Sequence, residues 1–435
     1  MANMTLIKNP AEQSLADAFA AVHTSLPGNA KLREQAFRSF SQTGLPHRRV
    51  EEFKYTDLRS AMREVAPRAT QPSKDVVARA LARPSAFSSI DAVELVFVDG
   101  FVASDLASGL TEGIHVQRLN EELEKDRLPS SFPGSAPAIV QNPLYQLNTA
   151  FVADGVVIHV SGEVAKPIHL RFVSRDDSAV AASARVVMKV DEGARITLLE
   201  SHESVDGIAH QPNHVVEIEA GDRAQIDHIR LNTEGADVMA LSTLMVRLGT
   251  ETTFNTLNTV LGSSLSRHQV FAECVGDRSV LQIYGATMIR REQLADTTLV
   301  VDHSGLGCVS RELFKTVMDG NAIGVFQGKI VVRHEAQKTD GRMMSAALLL
   351  SDGATMNNKP ELEIFADDVQ CAHGATSGAL DDDLLFYLMA RGLPRAEAER
   401  LLVQAFLGEA LEVVSHDGIE EALVGLAEQW LRERT

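Results

Sequence analysis

The middle of the chain, from about Phe151 to Gly378, is a succession of short β-rich segments with no helical pattern between them. The segments follow each other at intervals of about 8 to 14 residues, separated by Gly, Asn and Asp. Several alternate apolar and polar residues, which is the side-chain period of a sheet with one buried face; examples are GVVIHVSG, ARVVMKVDEG, NHVVEIEAG and GKIVVRHEA. Because parallel sheets with crossover helices need a helical segment after each strand, this pattern argues against a βαβ fold.

A weak internal repeat runs through the same region. Five positions match similar positions 28 residues later: Met188 and Val216, Val190 and Ile218, Gly193 and Gly221, Arg195 and Arg223, Leu198 and Ile226. A repeat of this length, built from short strands, is typical of a solenoid. Aromatic residues make up only 5% of the chain, which suits the narrow interior of stacked coils. We therefore expect a parallel β-helix, with a β-sandwich as the alternative.

Helical patterns flank the β-rich region. Residues 9–42 carry apolar residues at helical spacing, and three further helical segments follow Gly378. Before the β-rich region, Asp99 and Gly100 separate two apolar runs, which predicts a β-hairpin. We expect a mainly β protein with a mostly helical domain over 1–140, a β-helix core over 141–378 and a helical domain over 379–435. Helical units of this kind are suited to cap the open strands of a solenoid.

Composition narrows the classes of function. The formal net charge is −18, so the chain lacks the basic character of a nucleic-acid-binding protein. No apolar run approaches the roughly 18 residues that a membrane-spanning helix needs, and the N-terminus lacks a signal-peptide pattern. The three cysteines are widely spaced and odd in number, which is no disulfide framework. These features predict a cytoplasmic protein with reduced thiols.

Several motifs of catalysis and cofactor binding are missing. The segment GNAIGVFQGKI is not a P-loop, because its glycine spacing is wrong and Ile330 stands where Ser or Thr would hold magnesium. There is no Cys-x-x-Cys and no G-x-S-x-G. We therefore expect no intrinsic nucleotide site and no permanent metal site. We interpret the histidines of the β-rich region as surface or edge residues: His202, His210, His214, His228, His268, His303 and His334.

Cys371 and His373 form the strongest candidate for a metal site. Thiolate and imidazole both bind soft or borderline metals, and residues two apart on a strand share a face. Two ligands are too few, since zinc and iron–sulfur centres need about four. The missing ligands would come from elsewhere in the fold or from a second subunit. The alternative is that Cys371 is a small buried hydrophobic residue.

The sequence around these two residues resembles a known family. The run KPELEIFADDVQCAHGATSGALDDDLLFYLMARGL is similar to the C-terminal signature of the SufB/SufD family of iron–sulfur cluster assembly proteins. EEFKYTDLR, from Glu51 to Arg59, resembles the amino-terminal signature of the SufD branch. In SufB proteins a glutamate stands at the position of Gly374, and a cluster-bearing cysteine aligns with Ser345. The chain therefore resembles the SufD branch, over residues from about 45 to 410.

The resemblance implies an architecture and a set of partners. It implies a right-handed parallel β-helix between two helical domains, and a heterodimer with SufB that pairs through the β-helix cores. The C-terminal helices would dock SufC, an ABC-type ATPase that binds and hydrolyses the nucleotide. A subset of the apolar residues of these helices would form the docking face, and we interpret most of them as core: Phe386, Tyr387, Met389, Leu401, Leu402 and Phe406.

The resemblance also implies a role for the candidate site. His373, with Cys371 assisting, would bind transient iron or a nascent iron–sulfur cluster shared with SufB. The chain would be a non-catalytic subunit, and a reduced flavin would belong only to the whole complex. One alternative is a purely structural homodimer without a metal role. A β-helix polysaccharide lyase is the remaining alternative, although such enzymes are usually secreted and need carboxylate clusters on the solenoid face.

Overall fold

The computed structural model describes residues 9–104, 106, 111–125 and 142–433, and it is mainly β. The helices are α1 (Pro10–Val22), α2 (Ala30–Thr43), a 3-10 helix (Glu51–Phe53), α3 (Leu58–Ala61), α4 (Lys74–Leu81), α5 (Leu119–Glu124), α6 (Pro143–Phe151), α7 (Asp382–Ala390), α8 (Arg395–Leu411) and α9 (Asp417–Glu433). The first strands are β1 (Val93–Val98), β2 (Phe101–Val102), β3 (Ile114–Arg118), β4 (Asp154–Val160), β5 (Ile168–Val173), β6 (Ser183–Val190), β7 (Arg195–Glu203), β8 (Asn213–Ala220), β9 (Gln225–Thr233) and β10 (Met239–Leu248). The remaining strands are β11 (Thr253–Val260), β12 (Leu265–Cys274), β13 (Val280–Ile289), β14 (Leu294–His303), β15 (Val309–Met318), β16 (Ile323–Val332), β17 (Asp340–Leu349), β18 (Thr355–Ile364) and β19 (Gln370–Gly378).

The strands form two long sheets that wind around a common interior. Sheet 1 has the order β19-β17-β15-β13-β11-β9-β7-β5-β1-β2, and sheet 2 has the order β18-β16-β14-β12-β10-β8-β6-β4-β3. From β4 to β19 the chain alternates between the sheets, so that each of eight coils adds one strand to each sheet. All neighbours within these coils are parallel. The parallel β-helix is therefore confirmed, and the β-sandwich is excluded.

Stacked apolar side chains hold the coils together. One row on the inner face of sheet 2 contains Val186, Val216, Leu244, Val270 and Leu299, each paired in register with the next. All five are at most 2% exposed. Burying each such side chain stabilises the fold by about 1.5 to 3 kcal/mol relative to leaving it in water. Side chains alternate along each strand, so the next residue points outward, toward the helical domains.

The register corrects the predicted repeat. Met188 lies opposite Ile218 rather than Val216, and Arg195 lies opposite Gln225 rather than Arg223. The predicted offset is thus too short by two residues at this place. An error of two residues keeps every side chain on the same face, because the strand period is two. The spacing of coils also varies along the solenoid, since the turns differ in length.

The N-terminal region contributes strands to both sheets. The hairpin predicted at Asp99 and Gly100 is confirmed: Val98 pairs with Phe101, and both turn residues have positive φ. The first hairpin strand, β1, pairs in parallel with β5, and β3 pairs with β4. The predicted domain boundary between residues 140 and 141 lies outside the described residues, and the domain limits stay predictions.

A buried ion pair attaches the N-terminal domain to sheet 2. Arg267 and Asp296, on the outer faces of β12 and β14, form an ion pair, and both side chains are fully buried. The guanidinium also lies over the ring of Phe53, 3.9 Å from its centroid, and donates to the carbonyl of Glu52 at 2.8 Å. The hydroxyl of Thr56 donates to the carboxylate of Asp296. The segment EEFKYTDLR therefore has a structural role, because three of its residues complete this contact.

The C-terminal helices cover the outer face of sheet 1. Leu257, Met288 and Val317 of the sheet form one buried cluster with Leu407 and Trp430 of α8 and α9. The helices thus lie along the side of the solenoid. Within the described residues they do not cap its last coil, where β18 and β19 are the terminal strands of their sheets. The predicted capping of this end is therefore wrong, because the apolar surface available to the helices is on the side. None of the described helices is both long enough and apolar enough to cross a membrane.

Candidate functional site

Cys371 and His373 lie on the last strand of sheet 1, facing the inside of the solenoid. In the register of β17 and β19, Cys371 is opposite Gly341 and His373 is opposite Met343. Met343 is buried in the interior cluster, against which Cys371 also packs. No further coil follows among the described strands, so Cys371 is half-buried and His373 is exposed. The two residues therefore line the open end of the β-helix.

The neighbouring side chains at this end are mostly uncharged. Ser345 of β17 is fully buried and lies opposite Ala375 of β19. Its hydroxyl donates to Oδ1 of Asn358 on β18 at 2.7 Å. Ser345 is thus one strand below the edge and on the same inner face as His373. A cysteine at this position would add a third sulfur or nitrogen donor to the same face.

Burial raises the pKa of the Cys371 thiol, and the negative charge of Asp340 acts in the same direction. Cys371 is therefore a thiol at neutral pH, and it must lose its proton before the sulfur binds a metal. Within the described part of the chain, no group of three or more His, Cys, Asp or Glu side chains could hold a metal ion. The described residues thus bring two candidate donors, Cys371 and His373, to this end of the solenoid.

The two strands next to the site have open edges. Among the described strands, β18 and β19 each pair with one neighbour, so one row of backbone N–H and C=O groups on each strand is left for another partner. Edge strands of this kind pair readily with a strand of a second chain. The incomplete donor set and the open edges are thus at the same end of the molecule.

Comparison with known proteins places the chain in a family. Residues 16–170 match the model of the SufBD protein N-terminal region, and residues 172–406 match the SufBD core domain of SUF system FeS cluster assembly. The chain belongs to the SufBD family of iron–sulfur cluster assembly proteins. The family resemblance read from the two sequence signatures is thereby confirmed.

Relatives of this SufBD family protein match it over most of its length. It is 29% identical to the iron–sulfur cluster assembly protein SufD of Escherichia coli, with 90% of each chain covered. It is 31% identical to a SufBD family protein of Synechocystis, with 85% of this chain and 84% of the relative covered. SufD of Bacillus subtilis is 25% identical, with 70% of each chain covered.

A buried carboxyl group lies beneath the site in this family member. Glu312 of β15 is opposite Met343, which in turn is opposite His373. The side chain of Glu312 is 2% exposed, and neither of its oxygens has a hydrogen-bond partner among the described residues. Burial raises the pKa of Glu312 to about 8, although the nearby Ser310 hydroxyl favours the charged form. Glu312 is therefore mostly protonated at neutral pH.

The Glu312→Gln variant is expected to gain stability relative to the wild type as the pH rises. The pKa of Glu312 is about 8 in the folded chain and near 4.5 in the unfolded chain, so its contribution to stability is lost as the pH rises from 4.5 to 8. Between pH 4.5 and pH 7 this loss is about 3 kcal/mol, which the variant would not suffer. Urea unfolding at both pH values measures the difference. The exposed Glu292→Gln is the control, and an equal gain at both pH values would contradict the assignment.

The interior of the solenoid also contains a polar network that corrects the predicted surface histidines. Glu200 accepts hydrogen bonds from His202 at 2.6 Å and from His228 at 3.0 Å, and it pairs with Arg230. Of the seven histidines, six are at most 5% exposed and only His334 lies at the surface. The alternation along β7 could have revealed the buried histidines. Leu198 faces the interior of the solenoid, and Glu200 and His202, two and four residues later, face the same way.

The surface of α7 is apolar, which corrects the prediction that its side chains are mostly core. Phe386 is 73% exposed and Tyr387 is 55% exposed, and Leu384 and Met389 are exposed beside them. Leu401 on α8 is also exposed, whereas Leu385 is the buried residue of α7. Exposed apolar side chains grouped on one helix are often found at interaction sites. We refer to Leu384, Phe386, Tyr387 and Met389 as the α7 face.

Proposed function

We propose that the chain is a SufD-type, non-catalytic subunit of a cytoplasmic SufB–SufC–SufD scaffold for iron–sulfur cluster assembly. The observation that carries the proposal is the half-site at the open end, where Cys371 and His373 supply two donors beside two unpaired strand edges. SufB would pair with these edges and supply the missing ligands. Iron or a nascent cluster is then the cargo of the complex, and it is shared between two chains.

The two donors of the half-site are suited to bind iron or a nascent cluster only transiently. Imidazole is a good ligand for ferrous iron, and an exposed His373 can reach a metal that lies on the partner. Cys371 is protonated and half-buried, so its sulfur joins only after its proton has left. We therefore give His373 the leading role and Cys371 an assisting one. A site divided between two chains is emptied when the interface opens.

The α7 face would dock SufC. α7 follows β19 directly in the chain, and α8 packs against the outer face of sheet 1, where Lys315 of β15 pairs with Glu409 at 2.6 Å. A force applied to these helices therefore acts on the sheet that carries Cys371 and His373. In this proposal, ATP-driven closure of two SufC subunits twists the SufB–SufD pair and opens the interface for iron entry.

Co-expression with SufB and SufC tests the proposal. We expect the wild-type chain to purify in a complex with both partners and to support cluster formation after anaerobic reconstitution. Phe386→Asp is expected to lose SufC and keep SufB, and Leu81→Asp on the distant α4 is its control, since Leu81 is also exposed. His373→Ala is expected to keep the complex and lower its cluster content at least several-fold, and the exposed His334→Ala is its control.

Each outcome separates the proposal from its alternatives. If no complex with SufB forms, the proposal is wrong, and a stable homodimer would then favour a structural adaptor. If His373→Ala assembles clusters at the wild-type level, the metal role fails and the scaffold role stands. Cleavage of an acidic polysaccharide by the chain alone would favour a lyase.

A further inference from the structure

A pocket with a volume of about 430 Å³ lies between sheet 2 and the N-terminal domain. Its floor is the outer face of β12, β14, β16 and β18, and its roof is the loop that follows α2 together with Asn142 and Pro143. A volume of this size is in the range of small-molecule sites. It is on the outer face of the solenoid, whereas Cys371 and His373 face the interior.

The floor consists of two rows of side chains in register. The first row is Gln269, Thr298, Gln327 and Lys359, and the second is Phe271, Val300, Lys329 and Glu361. Neighbouring members of a row are about 4.8 Å apart. The floor is therefore apolar at Phe271 on β12 and Val300 on β14, and charged at its other end on β16 and β18.

The apolar end has aliphatic and aromatic walls. Phe271 and Val300 form the floor there, and the lining residues of the N-terminal domain include the apolar Pro46, Val50 and Phe53. Phe53 is already fixed by the guanidinium of Arg267, so this part of the wall is held in place before any ligand arrives. Such a surface suits a planar aromatic ring.

The middle of the floor has an unmet hydrogen-bond acceptor. Gln327 is 5% exposed, and its Nε2 donates to the carbonyl of Glu52 at 3.0 Å. Oε1 of Gln327 has no hydrogen-bond partner among the described residues. A buried acceptor without a partner is costly, and an N–H or O–H group of a ligand in the pocket would satisfy it after a small rotation of the side chain.

The charged end carries both signs. Lys359 pairs with Glu51 at 2.5 Å and with Glu361 at 3.1 Å, and Lys329 pairs with Glu363 at 2.9 Å. With Glu52, three carboxylates and two ammonium groups thus line the pocket. A head group with one positive and one negative charge complements this arrangement better than an ion of a single sign.

We propose that this pocket binds a small aromatic zwitterion, with its ring over Phe271 and Val300, a donor toward Gln327 and its charged head at Lys359 and Glu361. The proposal is independent of the role of the chain in cluster assembly. It needs only the pocket, so it can be tested on the full-length chain without SufB or SufC.

Saturation-transfer NMR with L-tryptophan as the probe tests the site. Tryptamine lacks the carboxylate and indole-3-propionate lacks the ammonium group, so the three probes share a ring and differ in charge. We expect L-tryptophan to bind about five-fold more tightly than either analogue, as one partly exposed ion pair allows. In Lys359→Gln, L-tryptophan is expected to bind no more tightly than tryptamine, but still more tightly than indole-3-propionate.

Val300→Trp should fill the floor and abolish binding, and Val275→Trp, on an exposed turn away from the pocket, is the matched control. Circular dichroism with a thermal melt establishes that both variants fold. Binding that survives in folded Val300→Trp would overturn the site. Equal affinity for the three probes would overturn the zwitterion assignment.

Discussion

The Arg267→Ala variant is expected to lose about 3 to 5 kcal/mol of unfolding free energy. Arg267 and Asp296 are both fully buried, and removing the guanidinium leaves the Asp296 carboxylate without its counter-ion. The same change deprives the Phe53 ring and the Glu52 carbonyl of their contact with sheet 2. Because the N-terminal domain is attached at this point, we expect its helices to detach before the solenoid unfolds.

Urea unfolding followed by circular dichroism measures the loss, and limited proteolysis shows which part opens first. Arg278→Ala is the control, since Arg278 pairs with Glu251 at 2.8 Å on the surface and the loss should stay below about 1 kcal/mol. The double variant Arg267→Met with Asp296→Leu removes both charges, and it should recover part of the stability. A loss for Arg267→Ala no greater than that of the control would contradict the structural role of this pair.

Acid is expected to destabilise the wild type relative to a His214→Gln variant by about 3 kcal/mol between pH 6.5 and pH 4. His214 is inside the solenoid, stacked on Phe172, and burial lowers its pKa to about 3. The unfolded chain protonates this histidine below pH 6.5 and the folded chain does not. The unfolded state therefore binds more protons over this interval, and stability falls as the pH falls.

The comparison with a variant is needed because other buried groups act in the opposite direction. Burial raises the pKa of Glu234 to about 7 and that of Glu312 to about 8, so both groups favour the folded state as the pH falls toward 4.5. The unfolding free energy of the wild type alone would thus change less with pH than the contribution of His214 would suggest. Urea midpoints of both proteins at half-unit pH steps give the difference, and the partly exposed His23→Gln is the control. A difference that does not change with pH would rule out a buried neutral His214.

The sequence predicts the β-helix well because the evidence for it is local. Each strand shows its own alternation, and parallel coils add the same pattern repeatedly, as in the row from Val186 to Leu299. Cys371 and His373 could be proposed from the sequence for a similar reason, since both lie in one short motif on one strand, and their metal role stays a prediction. Their position at an open end requires the whole topology, and the shortage of ligands left open whether the others come from elsewhere in the fold or from a second subunit.

The errors arose where a local pattern has two interpretations. A period of two shows that side chains alternate, but it does not say which set faces inward, so His202 and His228 were assigned to the surface. Helical spacing similarly places Phe386 and Leu385 on different faces without showing which face a partner covers. The contact between Phe53 and Arg267 joins segments far apart in the chain, and no window of sequence contains both.

The contact between the N-terminal domain and sheet 2 also sets the order in which parts of the chain fold during synthesis. Thr56 and Asp296 are 240 residues apart, and the apolar faces of α1 and α2 pack with Leu241 and Leu265 of sheet 2. Solenoid coils can stack as they emerge, because each needs only its neighbour. The N-terminal helices are synthesised before sheet 2, and the surface that their domain contacts extends to Gln327 on β16 and Lys359 on β18. These helices, made before the strands on which they dock, are thus among the last elements to reach their final position, and their apolar faces stay exposed to chaperones until then.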